Sequence, residues 1–120
     1  MRPRLFKNRE EWRSWLEQNH ASADELWLLF YKKHTGKKTL KYDEAVEEAL
    51  CFGWIDSKLR RIDDKRHAQR YTPRRPLSIW AQSNKRRVEK MIAEGRMTDA
   101  GLAKIDAAKR DGSWDSVTEV

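Results

Sequence analysis

Side chains able to act on a partner are few in this 120-residue chain, and most of them fall between Cys51 and Trp80. A cysteine nucleophile needs a helix N-terminus, a nearby cation or a histidine to form its thiolate. Cys51, between Leu50 and Phe52 near the end of a predicted helix, has the opposite setting and reads as a small core residue. His20, His34 and His67 lie on a helix end, a loop and a strand, with no ligand spacing among them. No metal site, catalytic residue or cofactor is predicted, and neither a glycine-rich dinucleotide loop nor a P-loop is present. Flanking Arg66 and Arg70 push His67 toward the neutral form, which suits a hydrogen-bonding group in an anion site.

Asp56 stands two positions after Trp54 and therefore on the same strand face. It reads as a cross-strand ion-pair partner, with a general base or an orienter of Arg60 or Arg70 as the alternatives. In the enzymatic alternative, a small pocket would be lined by Trp54, Asp56, Arg70, Tyr71 and Trp80. A lone carboxylate among arginines has its pKa lowered, however, and is a poor base near neutrality.

The strongest signal is charge. From Lys58 to Arg75 there are eight Lys or Arg against Asp63 and Asp64, whereas residues 1–57 balance ten against ten and residues 76–120 eight against seven. The net charge of +7 is thereby concentrated in the middle of the chain. Lys58, Arg60, Arg61, Arg70, Arg74 and Arg75 are the predicted contacts to an anionic partner. Trp54, Tyr71 and Trp80 are placed for stacking on a base or sugar, the combination that single-strand binders use. The competing reading is a solvated strand edge whose charges block sheet-to-sheet aggregation.

The elements that must position these groups are legible from period and punctuation. Asn8 to Glu11 has the form of a capping box, and Trp12, Trp15 and Leu16 share a face of a first helix over residues 8–19. The apolar run from Leu26 to Tyr31 predicts a central strand buried on both faces, with Trp27 in the core beside Trp12 and Trp15. His34 to Lys38 is a loop around Gly36 whose lysines add to the basic surface. Tyr42 to Phe52 predicts a second helix ended by Gly53, with Ala45, Val46, Ala49 and Leu50 on its apolar face. Residues 54–62 and 66–72 then form a hairpin turning at Asp63 to Lys65, at an edge or end of the sheet.

Pro73 and Pro76 predict an extended connector. Ser78 is the expected N-cap of a third helix carrying Trp80, Asn84, Val88, Met91 and Ile92 on one face, ended by Gly95. Thr98 or Asp99 starts a fourth helix that stops at Gly112, with Trp114 folding back and residues 115–120 frayed. The sum is an α+β domain: a small, largely antiparallel sheet of about three strands with about four helices packed on it.

A mean hydropathy of −0.99 is low, yet six Trp, three Phe and three Tyr supply enough apolar area for one folded core. One cysteine excludes an intramolecular disulfide. No run is long enough to cross a bilayer, so no membrane insertion and a cytoplasmic location are expected. A pI near 9.7 favours anionic ligands or nucleic acid, and an exposed tryptophan patch would instead mark a protein partner.

Several separated blocks also resemble a known family. They are Tyr42 to Ser57, Arg70 to Arg74, Ser78 to Trp80 with Asn84, Gly95 to Met97, Ala108-Lys109 and Gly112 to Trp114. In this order they are similar to the bacterial bacteriocin-protection family, also described as YdeI or OmpD-associated proteins. The resemblance runs from about Phe6 to Trp114. It implies a small cytoplasmic α+β protein with a protective role, and no defined reaction. Relatives often continue beyond the last block with a helical segment rich in Ala, Lys and Arg, whereas this chain ends at Val120. The expectation is one domain over residues 1–120, either a short member or a part of a longer protein.

Overall fold

A computed structural model describes residues 2–116. The order of elements is α1 (Arg9–Asn19), β1 (Leu26–Tyr31), α2 (Tyr42–Cys51), β2 (Trp54–Arg61), β3 (Arg66–Pro73), α3 (Gln82–Ala93) and α4 (Asp99–Asp111), with a short 3-10 turn at Lys33–Thr35. Four helices and a three-stranded antiparallel sheet make an α+β fold.

Local chemistry accounts for most of these boundaries. The Asn8 side chain accepts from the Glu11 N–H and opens α1, while the Glu11 carboxylate reaches the Lys7 N–H rather than the cap residue's own. Gly53 takes φ 74° beyond α2, a left-handed turn that redirects the chain from helix to strand at little steric cost. The hairpin closes where Asp63 Oδ1 accepts from the backbone N–H of both Lys65 and Arg66. Thr98 caps α4 and Gly112 ends it in the left-handed region. Trp114 folds back onto Trp80, with ring centroids 5.0 Å apart. The expected fraying of the tail falls mostly on residues 117–120, which lie outside the described residues.

Two expectations are corrected. The strand order is β1-β3-β2, so β3 rather than β1 is central. Strand β1 is buried only at alternate positions, and its outer side meets the N-terminal segment in a parallel bridge from Arg4 to Leu28. The third helix starts at Gln82 after Ala81, not at Ser78. Arg74 Nη2 donates to the carbonyls of Ser78 and Ile79, and Leu77 has φ 66°, so the chain is held non-helical until Trp80 has been buried.

The core occupies one side of the sheet. Leu26, Leu28 and Phe30 of β1 and Tyr71 of β3 meet Trp12 and Leu16 of α1 and the buried face of α2, with Trp54 at the start of β2. Helix α2 is the hub, touching α1, α3, α4 and β2. Alternation therefore sends Trp27, Leu29 and Tyr31 to the opposite face of the sheet.

Candidate nucleic-acid interface

The eight cations of the hairpin region do not form one electropositive surface. Arg61 pairs with Asp64, Arg66 with Asp63 at 2.8 Å and Arg70 with Glu25 at 2.6 Å. Arg74 is buried: its guanidinium lies 3.8 Å from the Trp80 ring centroid, and desolvation pulls its pKa down to about 10. It pins the connector to the core and is withdrawn from any partner. Lys58, Arg60, Lys65 and Arg75 are exposed and have no carboxylate within ion-pair distance among the described residues.

The aromatics differ from expectation as well. Trp54, Tyr71 and Trp80 are all 2 % exposed or less, so none can stack on a base. The Trp54 indole donates to the His20 carbonyl and the Tyr71 ring packs edge-on against Trp12. Their large apolar areas close the core.

Trp27 is the ring that lies beside the cations instead. Antiparallel register sets it directly opposite Arg70, and residues opposite each other on adjacent strands share a face. Trp27 is only partly buried and, with Glu25, Lys58, Arg60 and Arg70, lines one shallow depression on the outer face of the sheet. The register shift between Asp56 and Leu59 is a bulge, and it brings Lys58 into this group beside Arg60. An aromatic ring beside three cations, one of them paired with Glu25, is a combination that single-strand binders use. Nothing in the sequence of β1 alone separates this tryptophan from a core one. The signal lay in combining the alternation of β1 with the β1–β3 register.

A second group of free cations follows β1, in a part of the chain where acids and bases balance in number. Lys32, Lys33, Lys37, Lys38 and Lys41 are exposed and unpaired with any carboxylate among the described residues. The acids that balance them in number are engaged elsewhere. Glu48, with a fully buried side chain, accepts from Arg9, from Arg13 at 2.8 Å and from Arg96 at 3.1 Å. Despite burial, these arginines hold its carboxyl below the usual range. Glu47 takes Lys90, Asp43 takes Arg87 and Glu10 takes Arg96. The helical side thus consumes acid, and the end of β1 is left strongly positive.

The enzymatic constellation does not assemble. Asp56 accepts from the Tyr42 hydroxyl at 2.9 Å and from Gln69 Nε2 at 3.0 Å, and bonds to neither Arg60 nor Arg70. This replaces the expected cross-strand ion pair. Partial desolvation, and then this carboxylate, push the Tyr42 hydroxyl up to about 12. Trp54, Asp56 and Tyr71 belong to the core-side face and Arg70 to the outer one, so they do not line a common pocket. Cys51 is buried, the core residue its sequence setting predicts, with its thiol pushed up to about 11 by desolvation and then by the charge of Glu48. Among the described residues, no group of three or more His, Cys, Asp or Glu is placed to hold a metal ion, and no helix is long and apolar enough to cross a membrane.

A family model described as Domain of unknown function (DUF8412) matches residues 4–104, most of the chain and all of the surface just described. No curated protein and no solved structure is significantly similar to it.

Proposed function

The chain belongs to the DUF8412 family, whose description names no activity, and from the chemistry of its surface we propose that it is a non-enzymatic module binding single-stranded nucleic acid across the outer face of its sheet. The carrying observation is Trp27, partly exposed, opposite Arg70 and beside Lys58 and Arg60. A lone exposed cation row would serve as edge protection, but a tryptophan contributes nothing to that task. Stacking is sequence-tolerant because every base has a π-face, so little sequence preference is expected. The resemblance to bacteriocin-protection proteins supports a protective role in the bacterial cytoplasm for this binding.

The test is a titration of a fluorescent oligonucleotide at several salt concentrations. Three cations meeting phosphates give a slope of log affinity against log salt of about −2, from roughly −0.7 per phosphate on a single strand. Arg60→Gln should make that slope shallower by about 0.7. Affinity independent of salt, or absent at low salt, rules the reading out.

A further inference from the structure

The lysine-rich segment after β1 forms a cleft of its own. It has a volume of about 880 Å³ and lies between this segment and the end of the sheet. Aromatic rings line it at the end of the sheet: Phe30 and His67 stack with centroids 5.3 Å apart and planes 14° apart, and Tyr31, on the other face, lies under the ammonium of Lys37 at 4.5 Å. The five lysines named above line the rest of it together with Leu40 and Tyr42. The local carboxylates are already occupied, Asp43 by Arg87 and Asp56 by Tyr42 and Gln69. Five unpaired cations within ten residues call for a ligand carrying several negative charges at once. The aromatic lining calls for a planar, apolar ring, and the cleft is within the size range of small-molecule sites.

We propose that this cleft binds a nucleoside polyphosphate, its phosphates among Lys32, Lys33, Lys37, Lys38 and Lys41 and its base against Tyr31. The site stands apart from the Trp27 depression and does not depend on it. Lys37 covers the Tyr31 ring on a flexible stem, so a base can take its place while the ammonium turns to a phosphate. His67 is the natural reporter. Burial, and then the neighbouring charge of Lys32, hold its pKa below the ordinary value, and a phosphate beside Lys32 offsets the second of these. Besides Lys32, the groups facing this ring are Phe30 and, across the hairpin, Arg61, which is paired with Asp64.

Calorimetric titration with ATP, inorganic tripolyphosphate and adenosine tests the proposal. ATP should bind about tenfold more tightly than tripolyphosphate, the increment expected of one stacked base. The double variant Lys37→Gln with Lys38→Gln should lose about tenfold in ATP affinity while keeping its fold, since both side chains are exposed. In NMR, the His67 imidazole should titrate at higher pH with ATP bound. Equal affinity for tripolyphosphate and ATP, an unmoved His67, or no ATP binding at all each overturns it. Trp27→Ala separates the two sites: loss of oligonucleotide binding with ATP binding retained supports this cleft, and loss of ATP binding overturns it.

Discussion

Replacing Trp27 by Ala distinguishes a platform from a core residue, because the two roles predict opposite pairs of outcomes. A buried tryptophan cut back to alanine costs about 3–5 kcal/mol through lost transfer and a residual cavity. Trp27 lies on the outer face, outside the core cluster and only partly covered, so its removal leaves an open surface rather than a void. A cost of about 1 kcal/mol or less is expected, readable as a small shift in urea midpoint with the slope unchanged. Oligonucleotide affinity behaves the other way. Loss of one stacking partner costs about 1–3 kcal/mol, or roughly 5- to 150-fold in Kd. Chemical denaturation followed by circular dichroism and fluorescence anisotropy with a labelled strand measure the two on the same preparation. A variant that unfolds several kcal/mol more easily, or one that binds the strand as tightly as the parent, would refute the assignment of this ring to a partner. Trp27→Phe should recover part of the affinity, since the phenyl ring keeps a π-face of smaller area.

Two stability predictions test the charge distribution and the packing beneath the sheet. Glu48→Gln leaves Arg9, Arg13 and Arg96 around a neutral amide and should destabilise by about 3 kcal/mol, the low end for breaking a buried pair, because each arginine keeps some contact with water. The Glu48 pKa is depressed in the folded state, so its contribution is complete above the unfolded carboxylate range near ~4.3 and lost as pH falls below it. The parent should therefore lose stability on acidification more steeply than the variant, as denaturation midpoints between neutral pH and pH 3 will report. Gly101→Ala tests the close approach of α4 to the end of α2. An added Cβ would lie 2.5 Å from the Cys51 carbonyl oxygen and 2.8 Å from that of Leu50, both backbone atoms that cannot swing aside. A loss of about 1–3 kcal/mol is expected, and a neutral effect in thermal unfolding contradicts the observed packing.

The sequence by itself determined what is local. The Asn8 and Thr98 caps, the glycine after α2, the Asp63 turn and the apolar face of α2 each act through neighbours within a few residues, and they set the four helices, the hairpin and the inert setting of Cys51. The start of α3 at Gln82 is not local, because the delay past Ser78 depends on Arg74 reaching the carbonyls of Ser78 and Ile79 from a buried position. Only the tertiary structure decided which rings and charges are free. An apolar six-residue run has two faces, and pairing of β1 with β3 assigned one to the core and the other, with Trp27, to the side of Arg70. Charge balance along the chain is likewise not balance in space. Arg87, Lys90 and Arg96 from the last third neutralise Asp43, Glu47, Glu48 and Glu10 from the first fifty residues, so the lysines that follow β1 are left without partners. Ion pairing acts through distance and burial, neither of which sequence order records.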